Sequence, residues 1–256
     1  MNKEHLEAAL DGIEEPYINI ICGGDRGKLL KRTIDDINKA TPNVEEVTPP
    51  PNLIFNAFKL CKFNDLKCVI IGQDPYPKKE DAVGLSFSAP RDKSVPQSLK
   101  KIYSCLVECG EIETTPSHPD LTNWARQGVL LLNLTLTTRI GASQAHASYW
   151  KDYANAMIME LSRTAAASGK QLVWMLWGLQ AQSVAGIIRR GAAAANGVGA
   201  ATAPIILEWG HPSPLNNSNK TDNPANFKYC DHFHKVNALL SQHALRTIDW
   251  DPDCVV

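Results

Sequence analysis

Cys68-Val69-Ile70-Ile71-Gly72-Gln73-Asp74-Pro75-Tyr76-Pro77 sets an unbroken apolar run directly ahead of a stiff polar turn. An apolar run this short, bounded by Lys67 and Gly72, reads as a strand buried on both faces. Pro75 and Pro77 each fix φ and stiffen the turn that follows. The strand therefore delivers an amide, a carboxylate and a phenol to one place. Open α/β sheets hold their ligands at such carboxyl ends. An ordinary turn with a solvated Asp explains the same residues, so the stretch points to the fold class and leaves the chemistry open.

Three further apolar runs lie downstream. Val129-Leu130-Leu131-Leu132 ends on Asn133, and Leu172-Val173-Trp174-Met175-Leu176-Trp177 ends on Gly178. Pro204-Ile205-Ile206-Leu207 leads through Glu208-Trp209-Gly210 into His211-Pro212-Ser213-Pro214-Leu215. Helical spacing of apolar residues predicts helices over about 28–39, 53–61, 99–109, 120–126, 149–167 and 227–243. Residues 1–14 are helix-compatible and acidic. The uncharged Ala/Gly-rich run Gly191 to Ala203 reads as a mobile loop with no core of its own. Buried strands alternating with helices imply a three-layer α/β/α architecture with a central four-stranded, mainly parallel sheet. With no long linker and no repeat, residues 1–256 form a single domain, with residues 1–50 a peripheral N-terminal segment packed on it.

Composition narrows the function classes. The 256 residues are 44% hydrophobic and 21% charged, ordinary for a globular protein. A formal net charge of −1 argues against non-specific electrostatic coating of DNA. Nucleic acid would have to be held by a local patch, for which Lys78, Lys79, Arg91, Lys93, Lys100, Lys101 and Arg139 stand near the proposed site. Seven cysteines without a CxxC pair favour free thiols in a reducing compartment, cytoplasm or nucleus, over zinc or disulfides. The N-terminus lacks an apolar core of signal-peptide length, and no run approaches the ~20 apolar residues of a membrane span.

If the strands are parallel, their polar endings share one edge of the sheet. Asp74 supplies a carboxylate able to orient a water. His211 supplies an imidazole able to donate to an oxygen gaining negative charge. Asn133 carries a donor and an acceptor in one plane, which suits a pyrimidine edge, and an Asn after four apolar residues must bond something specific. Phe87, flanked by small residues in Gly84-Leu85-Ser86-Phe87-Ser88, either fills the core or offers a stacking face. Ser98, just ahead of its helix, is either a plain N-cap or a phosphate contact.

At these residues the sequence resembles family 1 uracil-DNA glycosylases. Gly72 to Tyr76, Gly84 to Ser88, Gly128 to Asn133, Leu176-Trp177-Gly178 and His211 to Leu215 match that family's signature segments in order and spacing. The likeness runs from about Leu53 to Trp250, where Ile248-Asp249-Trp250 resembles the family's closing strand. The resemblance implies a cofactor-independent enzyme that flips uracil out of single- or double-stranded DNA and hydrolyses its N-glycosidic bond. It implies Asp74 and His211 as catalytic residues, and Gln73, Tyr76, Phe87 and Asn133 as the uracil site. Ser98, Ser213 and His146 would contact DNA, with Leu215 as a wedge in the base stack. A monomer is expected, with a proteinaceous glycosylase inhibitor or a replication protein as possible partners.

Departures from the family pattern fall around the chemistry. Pro77 stands where many members have His. Leu179 and Ala145 stand where Ser is common. The runs 191–203 and 216–229 look like insertions. These changes motivate a competing reading, a glycosylase fold kept as a binding module or processivity partner in replication.

Overall fold

The computed structural model describes residues 1–195, 202–214 and 226–254. Four strands form one parallel sheet: β2 (Cys68–Gly72), β3 (Val129–Asn133), β5 (Val173–Trp177) and β6 (Ile205–Trp209), in the order β3-β2-β5-β6. Register pairs Cys68 with Val129 and Val173, and Gly72 with Asn133. β2, β3 and β5 are buried along their whole length, as their unbroken apolar runs require. β6, at the edge, is only half-buried and exposes Glu208. The chain crosses from β2 to β3 on one side, then returns past β2 to β5. The strand order therefore reverses between β2 and β5, where a doubly wound sheet opens a crevice at its carboxyl edge.

Helices cover the sheet in a three-layer α/β/α arrangement. They are α1 (Lys3–Leu10), α2 (Glu15–Cys22), α3 (Arg26–Ala40), α4 (Asn56–Leu60), α5 (Gln97–Glu108), α6 (Thr122–Arg126), α7 (Ala147–Ala167), α8 (Gly178–Gln182), α9 (Ala185–Ala193) and α10 (His232–Gln242). A second, two-stranded sheet joins β1 (Val47–Thr48) to β4 (Thr138–Arg139) in antiparallel register. From the first fifty residues, Ala9, Tyr17, Ile20, Ile21, Leu30 and Ile37 enter the same buried cluster as the parallel sheet. All seven thiols are free. No helix among the described residues is long and apolar enough to cross a membrane.

Several local expectations are corrected. The helix expected over 227–243 is broken: Phe227–Tyr229 is a 3-10 turn and α10 starts at His232. Ile248–Trp250 is not a strand; Trp250 is buried there, and its carbonyl accepts from Trp124 Nε1 at 2.9 Å. Gly191 to Ala195 do not belong to a free loop. Gly191 and Ala192 end α9, and Gly191 meets α7 so closely that a Cβ would lie 2.2 Å from the Met159 carbonyl oxygen. The small residues here serve backbone-to-backbone packing, which low-complexity composition imitates. Residues 196–201 lie outside the described residues. Thr202 rejoins the fold by donating to the Lys170 carbonyl at 2.6 Å.

His232 is one of the buried polar groups of this core. It is 2% exposed, and Trp177 Nε1 donates to its Nδ1 at 3.1 Å. Burial pushes its pKa down to about 4. The folded protein keeps this ring neutral while the unfolded chain takes up a proton below about pH 6.5. Stability is therefore full above pH 6.5 and falls as pH drops towards 4, where the folded ring charges too. This group alone is expected to remove up to about 3 kcal/mol over that window. Denaturant titrations at pH 7 and pH 4.5 check it, and His232→Gln is expected to flatten the difference.

Candidate active site

At the carboxyl edge of β2, a small slot is lined by Gly72, Gln73, Asp74, Pro75, Tyr76, Pro77, Phe87, Ser98, Asn133, Ser143 and His211, with a volume of about 150 Å³. Typical ligand cavities are roughly 300–1,000 Å³, so this one suits a single small ring. A larger groove of about 420 Å³ opens at the opposite, amino edge, lined among others by Lys67, Lys170, Val173, Ile205 and Leu239. Size does not select the site; convergence of polar side chains from distant segments does.

The slot wall begins with a close approach. Gly72 and Asn133 are register partners on β2 and β3. A Cβ on Gly72 would stand 2.2 Å from Asn133 Oδ1 and 2.6 Å from Ser86 Cβ. The absent side chain is thus the space that the Asn133 amide occupies. Pairing continues past the strands, Leu134 N–H donating to the Gly72 carbonyl and Thr135 N–H to that of Gln73, each at 3.0 Å. Asn133 is 8% exposed, and among the described residues its amide has no hydrogen-bond partner. The amide is therefore free to bond a group that enters the slot.

Phe87 lines the slot half-buried, so neither the pure core reading nor the fully exposed one describes it. Its φ of +64° is unusual for a residue with a side chain. Two buried serines hold it. Ser86 donates from its backbone to the Leu131 carbonyl at 3.0 Å and from its hydroxyl to that of Ile70 at 3.3 Å. Ser88 donates to the Pro119 carbonyl at 3.2 Å and accepts from Leu121 N–H at 3.0 Å. The Tyr76 hydroxyl donates to the Phe87 carbonyl at 2.9 Å, and burial pushes that phenol's pKa up. The Phe87 ring rests against Trp177 at 5.7 Å and His211 at 6.2 Å between centroids.

His211 reaches the slot because Gly178 adopts φ +83° beside it; a Cβ there would lie 2.8 Å from His211 Cβ. Ser213 N–H donates to His211 Nδ1 at 2.9 Å. Nδ1 is therefore an acceptor, and the neutral ring carries its proton on Nε2. Burial lowers the pKa of this ring, which favours the same neutral form. Asp74, on the facing loop, accepts at Oδ2 from the Ser143 hydroxyl at 2.6 Å and from Gln144 N–H at 2.7 Å.

The structure thus brings Gln73, Asp74, Tyr76, Phe87, Ser98, Asn133 and His211 around one slot, and joins Ser213 to it through His211. Ser98 lies inside the first turn of α5 rather than ahead of it, because Pro96 caps the helix. His146 is not available to DNA. It is 1% exposed and sits between the hydroxyls of Thr41 and Thr137, each 3.0 Å away. It pins the 140–146 loop from inside. Leu215 lies outside the described residues. Ser143 and Gln144 escaped the sequence reading, since a lone polar pair in a short loop carries no signal until the loop meets Asp74. Of the basic residues, Lys78 and Lys93 lie within ion-pair reach of Asp81 and Glu80, and Arg91 pairs with Asp253. Lys79, Lys100, Lys101 and Arg139 form no ion pair among the described residues.

Residues 58–241 match the family model described as the uracil DNA glycosylase superfamily. The chain belongs to this family. A uracil-DNA glycosylase of Campylobacter concisus is 42% identical over 206 residues, covering 80% of each chain. One from bovine herpesvirus 1.1 is 40% identical over 208 residues, covering 81% of this chain and 91% of its own. Among solved structures, a mimivirus UNG variant in complex with UGI superposes with a TM-score of 0.80 at 25% identity, over 96% of this chain and 90% of that one. The glycosylase family match spans β2 through most of α10, and so includes each strand that ends at the slot.

Gly72→Ala tests the close approach on which the slot depends. The variant is expected to lose about 1–3 kcal/mol in a denaturant titration and to show Asn133 turned away in its crystal structure. An unchanged titration midpoint with Asn133 in place would refute the account.

Proposed function

We propose that this protein excises uracil from DNA by base flipping and hydrolysis of the N-glycosidic bond, leaving an abasic site. The reading takes residues 1–256 as one glycosylase domain with residues 1–50 packed on it. The observation that carries it is the slot itself: an open, buried amide, an aromatic face, a neutral imidazole and a carboxylate around space for one ring.

In this reading the uracil ring stacks on Phe87 and presents N3–H and O4 to the Asn133 amide. Cytosine offers an N4 amino group and an unprotonated N3, leaving that amide mismatched. Tyr76 closes the wall where a thymine methyl would go, and the Gln73 backbone contacts the base. As the C1′–N1 bond breaks, its electron pair leaves with the base, and His211 Nε2–H donates to uracil O2, where negative charge collects. One such donor is typically worth about 2.7–4 kcal/mol. Asp74 faces the sugar, steadies its positive charge and orients the water whose oxygen bonds C1′. The water leaves a hydroxyl on C1′ and gives up one proton, which balances the proton the uracil anion takes up. No step needs a metal or cofactor. Ser98 and Ser213 grip flanking phosphates, and Leu215 fills the gap left in the stack.

The proposed partner is uracil-containing DNA, single- or double-stranded, met by a monomer. UGI, the companion of the mimivirus variant, is a proposed inhibitor here. The binding-module reading is not favoured, because Asp74, Asn133, Phe87 and His211 all stand at the slot.

The test is release of free uracil from a uracil-containing oligonucleotide in the presence of EDTA. The wild type is expected to be active, and Asp74→Asn about 10²–10⁴-fold slower with binding retained. Failure of the pure, folded protein to release uracil from single strands would overturn the reading. Asn133→Asp is expected to gain measurable cytosine release; retained strict uracil preference would remove Asn133 from its role.

A further inference from the structure

The carboxylate of Asp74 is held from one side only. Both of its donors, the Ser143 hydroxyl at 2.6 Å and Gln144 N–H at 2.7 Å, converge on Oδ2. Among the described residues Oδ1 accepts nothing, so it is the oxygen left for a ligand. Pro77, three residues further along the same turn, has no N–H to offer. Its carbonyl instead accepts from Gly141 N–H at 2.8 Å, which ties the Asp74 turn to the loop bearing Ser143.

That loop is firmly braced. The Thr138 hydroxyl donates to the Ala142 carbonyl at 2.6 Å and accepts from Ala145 N–H at 3.1 Å. Ile140 N–H donates to the Glu46 carbonyl at 2.8 Å, and His146 is clamped below by Thr41 and Thr137. Gln144, at φ +59°, turns its N–H towards Asp74, while Gln180 Nε2 donates to its side-chain oxygen at 3.2 Å. Ser143 is exposed and lines the slot. Among the described residues its hydroxyl bonds Asp74 and nothing else.

We propose that Ser143 is a positioning residue for hydrolysis: its hydroxyl fixes the rotation of the Asp74 carboxylate so that Oδ1 faces the attacking water. The inference rests on the glycosylase reading and deepens it. Ser143 keeps its proton throughout, and no bond to it forms or breaks. A free carboxylate can turn about its terminal torsion, which is broad. A charge-assisted hydrogen bond narrows that torsion and is among the stronger kinds. Gln144 N–H, fixed by the loop backbone, supplies the second anchor that makes the pair directional.

The test uses single-turnover excision from a uracil-containing single-stranded oligonucleotide. Affinity is read separately, by anisotropy with an oligonucleotide carrying 2′-fluoro-2′-deoxyuridine, which resists cleavage. Ser143→Ala is expected to slow the chemical step about 10- to 100-fold with affinity within about twofold. Ser143→Thr, which keeps the hydroxyl, is expected to stay within about threefold of wild type. In an Asp74→Asn background, Ser143→Ala is expected to add little further loss, because the group it acts through is gone. A Ser143→Ala rate equal to wild type, a loss confined to affinity, or an equal loss in the Asp74→Asn background would each overturn the proposal while the glycosylase reading stands. An inactive wild type would overturn both.

Discussion

The approach of Gly72 to Asn133 is the contact on which the active edge depends. Two parallel strands bring their last residues level, and one of them has no side chain. The amide of the other then lies over bare backbone at the mouth of the sheet. Because β2 is central and flanked by β3 and β5, this position cannot drift without dragging the whole ladder. The carboxylate leaves the same strand two residues later, so amide and carboxylate inherit their separation from strand register. Loop conformation adjusts the details, while the sheet sets the frame.

Charge is distributed around that frame with little redundancy. The imidazole is kept neutral by burial and by a backbone donor on Nδ1. The carboxylate is held by donors from a different loop. Neutral imidazole and carboxylate both line one slot, the pairing that the proposed reaction would use as charge develops on base and sugar. The aromatic plate, which rests against the imidazole, is held in an unfavourable backbone conformation by two serines, and such local strain persists only when neighbouring bonds over-determine it.

Much of this was legible in the order of residues because its causes are local. Four apolar runs, three of them leading into polar residues, suffice to infer a parallel sheet and a shared edge. Asn133 follows such a run directly and Asp74 and His211 follow within a few residues, so their convergence comes from topology. What escaped was set by tertiary contact. His146 sits in a motif position but under a roof formed by Thr41 and Thr137, and no local pattern distinguishes a buried histidine from an exposed one. Gly191 and Ala192 read as low complexity because close helix packing and flexible linkers draw on the same small residues. Phe87 was ambiguous because its exposure follows from a positive φ imposed by serines bonded to strands and a distant turn.

The contact between Thr41 and His146, with that between Glu46 and Ile140, links the chain's opening tract to the loop that donates to Asp74. That tract lies ahead of the region matched by the family model. Its helices and short strand therefore act as a buttress for the Asp74-facing loop. Trimming the protein to its recognisable portion would keep every side chain that lines the slot and remove the masonry behind one of them.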